Sequence, residues 1–196
     1  MNIVWPVTAL YSGMIGLWTY FKIGRAPAHE KMHGHHHEKK EMTNGQHKKL
    51  SWQQVTKGTL HCGSGCTAGD IVAELILLVL PITIFGSELA GRWTTDYVFA
   101  FLFGILFQYY AIKPMRDLSP RKALGAALKA DALSLTSWQI GMYGWMAICI
   151  FLVFRHPLSP GDPVFWFMMQ IAMLIGFITA YPVNWWLMKK GIKEAM

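Results

Sequence analysis

Long apolar runs alternate with polar segments along the 196-residue chain. A helix needs about 20 residues to cross roughly 30 Å of hydrocarbon, and five of the runs approach that length. In lipid every backbone polar group needs a partner within its own segment, which favours helices. The pattern therefore predicts an all-α, polytopic membrane helix bundle. Its five transmembrane helices are predicted at residues 3–21, 66–85, 93–112, 138–154 and 164–188.

The predicted spans divide the chain into three parts. Residues 1–23 are predicted to form an N-terminal transmembrane helix. They lack the basic segment of a signal peptide, and they carry tryptophan and tyrosine near their ends, as residues at a membrane interface do. Residues 24–50 are polar and rich in histidine, and they are expected to form a flexible cytoplasmic loop. Residues 51–196 are predicted to form a four-helix membrane domain.

Two segments of the membrane domain extend beyond the apolar runs. Residues 50–60 are predicted to form a short amphipathic helix at the membrane surface, before the second span. Residues 120–137 are predicted to form a helix that begins at Pro120 and runs into the fourth span, since proline is favoured at the first helical position.

Composition and charge exclude several classes of protein. Hydrophobic residues make up 53% of the chain and charged residues 15%, whereas soluble domains are about a quarter charged. Sixteen of the 18 lysines and arginines fall in three segments, at 22–57, 113–129 and 189–193. The positive-inside rule then places the N-terminus outside and the C-terminus inside the cell.

The net charge of +7 is therefore an orientation signal in a plasma-membrane protein, not a nucleic-acid surface. The sequence also lacks a nucleotide-binding loop.

Residues 61–70 read HCGSGCTAGD and carry the most informative chemistry. On a helix, Cys62, Cys66, Asp70 and Glu74 recur every four residues and share one face. Thiols together with His61 form a donor set that selects Cu(I) or Zn(II) over Mg²⁺ or Ca²⁺. The predicted metal ligands are Cys62, Cys66, His61 and Asp70, and Glu74 is expected to act as an ion or proton relay, because carboxyl groups at membrane depth usually face a partner or a pathway.

Two glycines lie beside this face and leave an alternative open. Gly65 and Gly69 would make a smooth strip where another helix backbone can approach. In the alternative interpretation, Cys62 and Cys66 are small residues that serve the same close packing.

Sulfur and amide side chains recur in the last two spans. Gln139, Met142 and Met146 share one face of the fourth span, and Met169 and Met173 lie one turn apart in the fifth. Thioethers bind Cu(I), so these residues are predicted to line a pathway. Methionine also fills gaps in ordinary cores, and packing is the alternative for each of them.

The cytoplasmic side carries two further polar features. His33, His35, His36 and His37 are predicted to form an auxiliary metal-binding loop, with a solvated linker as the alternative. Asp131 and the hydroxyl residues after it make the start of the fourth span unusually polar. They form either a hydrogen-bond network inside the bundle or a helix at the headgroups.

Three separated blocks carry a family pattern. They read TLHCGSGCTAGD at 59–70, DALSLTSWQIGMYGWM at 131–146 and FWFMMQIAMLIGFITAYPVNWWLMKKGIK at 165–193. Together they resemble a bacterial and archaeal membrane family called domain of unknown function 4396, which has an HCxxGC motif. The resemblance covers about residues 50–196, with the first span and the histidine-rich loop as an N-terminal addition. Because family members often resemble components of copper-handling gene neighbourhoods, the resemblance implies a connection with copper.

The sequence thus favours a transport or metal-binding protein over an enzyme. We expect a multi-pass membrane protein, in contact with the lipid bilayer, that binds and transports a metal ion, Cu(I) ahead of Zn(II). A homo-oligomer is expected, because five helices enclose little pore. Two alternatives are a membrane thiol-disulfide oxidoreductase, which needs residues 63–65 to form a loop, and a metal chaperone or assembly factor that does not transport.

Overall fold

The computed structural model describes residues 4–24, 50–112 and 120–193. Within these residues the chain forms five α-helices and no β-strand, which confirms the all-α prediction. Short π-helical turns, Tyr20–Gly24 and Cys149–Val153, extend the first and fourth helices. The helices are α1 (Val4–Thr19), α2 (Trp52–Val79), α3 (Glu88–Ile112), α4 (Pro120–Ile148) and α5 (Pro163–Lys189).

The last four helices pack as two hairpins. The most extensive contacts join α2 to α3 and α4 to α5, and a short loop connects the helices of each pair. The hairpins meet through contacts of α3 with α4 and of α2 with α5, and α1 packs against α2 and α5. As a result, α2 touches every other helix of the bundle, which makes it the central element.

Three helical segments are long and apolar enough to cross a membrane, namely Trp52–Val79, Asp131–Val153 and Pro163–Lys189. The chain is therefore a membrane protein. The other two helices fall short for different reasons: α1 has only 16 residues, whereas α3 contains the polar residues Asp96 and Gln108. Membrane crossing by α1 and α3 and the orientation of the termini remain predictions.

The bounds of α2 differ from those predicted. Residues 50–60 do not form a separate surface helix, because α2 is continuous from Trp52 through the predicted second span. Ser51 and Gln54 form a capping box that fixes this start, with the Ser51 amide donating to Gln54 Oε1 at 3.0 Å. The helix ends at Val79 and not at residue 85, since Pro81 excludes the residue before it from helical geometry. At the fourth span, by contrast, α4 begins at Pro120 as predicted.

The glycines of α2 allow α3 to approach closely. A Cβ atom added to Gly65 would lie 2.9 Å from the Cα of Gly104, and one added to Gly69 would lie 2.6 Å from the Cα of Ala100. Both distances are shorter than real contacts, and the neighbouring atoms belong to backbone that cannot move aside. The predicted small-residue strip is therefore confirmed, and it faces small residues on the partner helix.

A buried ion pair attaches the segment after α5 to the bundle. The Nζ atom of Lys193 lies 3.1 Å from Oδ1 of Asp131 at the predicted start of the fourth span, and both side chains are buried. Burial alone lowers the pKa of Lys193, but attraction to the Asp131 carboxylate and to further neighbours outweighs it, so the pKa lies above its ordinary value. Lys193 therefore remains charged at neutral pH.

The glycine contact predicts that Gly69→Ala destabilises the bundle. The added methyl group would force α2 and α3 apart, and overpacking of this kind costs about 1–3 kcal/mol. Thermal unfolding in detergent measures the effect. Gly144→Ala is the matched control, because a Cβ atom at Gly144 meets nothing within 4 Å. Equal unfolding midpoints for the two variants would contradict the predicted role of the strip.

Lys193→Met is expected to lower the free energy of unfolding by about 3 kcal/mol, because it leaves the Asp131 carboxylate buried without its cation. Lys190→Met removes an exposed charge three residues earlier and is expected to change little. The raised pKa of Lys193 sets the pH range of the effect. Its contribution is complete below about pH 10.4, the ordinary lysine value, and is lost as the pH rises through the higher folded-state pKa. An equal loss in both variants would argue against the buried pair.

Candidate functional site

The face predicted on α2 is formed as expected. Because the helix is continuous through the glycine-rich run, Cys62, Cys66, Asp70 and Glu74 follow one another at single-turn intervals. Their side chains are at most 1% exposed. This line of side chains, the α2 stripe, extends over about three turns, or roughly 18 Å. Four buried thiol and carboxyl side chains in a membrane protein mark the part of the bundle where polar chemistry is concentrated.

A directed chain of hydrogen bonds reaches the first thiol. The Asn184 amide on α5 donates to Ser134 Oγ on α4 at 2.6 Å, and Ser134 Oγ donates to Cys62 Sγ at 3.2 Å. The predicted polar start of the fourth span therefore faces the bundle interior, which decides between the two alternatives for Asp131 and its neighbours. Cys66 lies one turn further along α2, within hydrogen-bonding range of the Cys62 thiol.

His61 points away from the thiols towards α3. Its Nε2 atom lies 3.2 Å from the carbonyl oxygen of Phe107, and since a carbonyl only accepts, Nε2 carries the hydrogen. Among the described residues, Nδ1 has no partner. Asp70 lies two turns from Cys62, about 12 Å along the helix. His61 and Asp70 therefore do not lie together with Cys62, as the predicted metal site would require. In the part of the chain that the structure describes, no three His, Cys, Asp or Glu side chains could hold a metal ion together.

Sulfur atoms dominate the core next to the stripe. A single buried cluster contains both stripe thiols, a third cysteine and the four predicted methionines. Thr67 Oγ1 donates a weak hydrogen bond to Met173 Sδ at 3.7 Å, which ties α2 to the methionines of α5. The sulfur-bearing members of this cluster, called here the sulfur core, are Cys62, Cys66, Met142, Met146, Cys149, Met169 and Met173.

Carboxyl groups occupy the other end of the stripe. Gln139 Nε2 donates to Asp70 Oδ1 at 3.0 Å, and Arg92 Nε lies 3.6 Å from Glu74 Oε2. Asp96 on α3 is 1% exposed and lies beside them. A cavity of about 10 Å³, roughly the room that one water molecule needs, adjoins Glu74, Arg92 and Asp96. Three methionines of the core also line it, together with aromatic and aliphatic side chains: Met142, Met146 and Met169.

Asp96 and Arg92 belong to this site, although neither is among the residues that the sequence predicts for it. Asp96 lies inside the predicted third span, and the argument that singled out Glu74, a carboxyl group in an apolar run, applies equally to it. Arg92 lies outside the three basic segments, so the positive-inside rule predicts a charge on the outer side of the membrane. In the structure it pairs with Glu74 and also donates to the carbonyl of Leu158 at 2.7 Å, and no local pattern signals these contacts. The loop residues His33, His35, His36 and His37 lie outside the described residues.

Comparison with known proteins places the chain in a family. No curated protein and no solved structure matches it. The model of one family, described as Domain of unknown function (DUF4396), matches residues 51–193. The matched region begins at the N-cap of α2 and ends at the buried lysine, so it contains the α2 stripe, the sulfur core and the carboxyl groups. The chain therefore belongs to the DUF4396 family.

Proposed function

We propose that this protein binds a soft metal cation, Cu(I) ahead of Zn(II), at the Cys62–Cys66 pair and conducts it along the α2 stripe. The observation that carries the proposal is the sulfur core, in which seven thiol and thioether side chains from α2, α4 and α5 share one buried cluster. Thiol and thioether sulfur atoms are soft ligands that suit Cu(I), whereas hard cations such as Mg²⁺ and Ca²⁺ prefer oxygen.

The two thiols are the entry to this pathway. Cys62 and Cys66 lie one turn apart on a rigid helix, with about 5–6 Å between Cβ atoms, so both sulfur atoms can reach one ion. Met173, tied to Thr67, comes from the opposite helix and supplies a third sulfur in the same cluster. We propose that side-chain rotations bring the sulfur atoms of these three residues around one ion.

The assembly and location follow from the same proposal. The cavity beside the stripe holds about 10 Å³, which is too little room for a hydrated ion. We therefore propose a homo-oligomer in the plasma membrane, with the thiol end of the stripe towards the cytoplasm. Lys193 and Asp131 close that end, and the histidine-rich loop is proposed to buffer ions there.

The geometry gives less support to a thiol oxidoreductase. Residues 63–65 are helical and do not form the loop that this alternative requires. A disulfide needs about 3.5–4.5 Å between Cβ atoms, which is shorter than the spacing of one helical turn. Oxidation of Cys62 and Cys66 to a disulfide would therefore require α2 to unwind locally.

Copper affinity tests the thiol pair. Purified protein is titrated with Cu(I) against bathocuproine disulfonate, under reducing conditions, as the wild type and as Cys62→Ser/Cys66→Ser. We expect the double variant to bind at least about tenfold more weakly, which corresponds to about 1.4 kcal/mol. Cys149→Ser is the matched control, since it removes a buried thiol from the π-helical turn after α4 and leaves the proposed ligands Cys62 and Cys66 intact. Equal affinities in the wild type and the double variant would refute the metal site.

Transport is tested separately in proteoliposomes that contain a trapped Cu(I)-sensitive dye. We expect wild-type protein to admit Cu(I), and Met142→Leu/Met173→Leu to lower the rate while the thiol pair still binds the ion, because leucine keeps the apolar volume and removes the sulfur. Tight binding without flux in the wild type would contradict transport and favour the non-transporting metal chaperone.

A further inference from the structure

The carboxyl end of the stripe has more negative groups than cations. Asp70, Glu74 and Asp96 are each at most 1% exposed, and the described residues supply them with one cation, Arg92. Ionised together, the three carboxylates would leave two uncompensated charges inside a membrane bundle. Isolated buried charges and neighbouring like charges are both costly, and carboxyl groups in such places take up protons instead.

The contact between Asp70 and Gln139 shows where one proton belongs. The Gln139 amide nitrogen donates to Asp70 Oδ1 at 3.0 Å. The second oxygen of each group, Asp70 Oδ2 and Gln139 Oε1, is buried and has no partner among the described residues. Both are acceptors when Asp70 is ionised, so neither can satisfy the other. A proton on Asp70 Oδ2 converts it to a donor that can bond to Gln139 Oε1, and both atoms gain a partner.

Asp96 accounts for the second proton. Glu74 has the guanidinium of Arg92 at 3.6 Å and can remain ionised. Asp96 is buried, and within the described part of the chain its Oδ1 atom has no hydrogen-bond partner. It borders the small cavity that also contacts Glu74 and Arg92. Protonation of Asp96 removes the last uncompensated charge and leaves one carboxylate opposite one guanidinium.

We propose that Asp70 and Asp96 form a proton-binding site, separate from the thiol pair, that holds two protons at neutral pH. The described residues contain no group of three acidic, thiol or imidazole side chains that could hold a metal ion. A proton needs no such group, because two oxygen atoms are enough to bind it. Titratable and charged neighbours on three helices surround the site, and α5 contributes methionines. The neighbours are Cys66 and Glu74 on α2, Arg92 on α3, and Tyr143 on α4, which Tyr97 of α3 approaches.

The site deepens the proposed function without requiring it. If a cation passes along the α2 stripe, its charge displaces these protons, which couples cation movement to proton release. This coupling rests on the proposed function, whereas the protonation of Asp70 and Asp96 does not. The experiment is therefore carried out on metal-free protein, so that its failure and the failure of the copper experiments are distinguishable.

Infrared spectroscopy of the full chain in lipid nanodiscs tests the site, because protonated carboxyl groups have a C=O absorption that carboxylates lack. We expect the wild type to show it at neutral pH, and Asp70→Asn and Asp96→Asn each to remove one component. Asp162→Asn is the control, because it makes the same substitution at an exposed carboxyl group outside the site, and we expect it to leave the absorption unchanged. Absence of the absorption in the wild type, or its full retention in both Asp70→Asn and Asp96→Asn, would overturn the proposal.

A glutamine variant identifies the Asp70 component without changing any charge. Gln139→Leu removes the amide, so we expect the component that Asp70→Asn abolishes to shift in frequency. Gln170→Leu alters an exposed glutamine on α5 and is expected to leave the spectrum unchanged. If Asp70→Asn does not fold, the shift in Gln139→Leu and the loss in Asp96→Asn decide the matter. An unshifted spectrum in Gln139→Leu would show that Asp70 holds no proton against the amide.

Discussion

The cost of burying polar groups in a membrane bundle is the constraint on which the rest of this structure depends. The α2 stripe places two thiols and two carboxyl groups in an interior where each needs a partner. The other helices supply these partners in turn along the stripe. Ser134 donates to Cys62, Gln139 donates to Asp70, and Arg92 lies opposite Glu74. Helices α3 and α4 are therefore held around α2 by polar contacts as well as by packing.

Close packing and polar chemistry depend on each other here. The glycine strip brings the backbone of α3 against α2, and this approach carries Asp96 and Arg92 of α3 to the carboxyl end of the stripe. A larger residue at Gly69 would separate the helices and weaken those contacts as well. The division of the stripe into a sulfur end and an oxygen end follows from what the neighbouring helices present there, and it suits a soft cation at one end and protons at the other.

Apart from the bounds of α2, the sequence predicted most of what depends on position within one helix. The spacing of Cys62 and Cys66, the glycine strip and the start of α4 at Pro120 are local, and the structure confirms them. It did not predict contacts between helices. His61 lies next to Cys62 in sequence but about 100° around the helix, so it faces α3. Lys193 lies 62 positions from Asp131, and no periodicity signals such a pair.

X-ray absorption at the copper edge of the Cu(I)-loaded protein identifies the atoms that bind the ion, and it therefore tests whether this bundle binds a soft cation through sulfur. We expect a first shell dominated by two or three sulfur atoms in the wild type, and its loss in Cys62→Ser/Cys66→Ser. A first shell of nitrogen and oxygen alone, or one that the double substitution leaves unchanged, would contradict it.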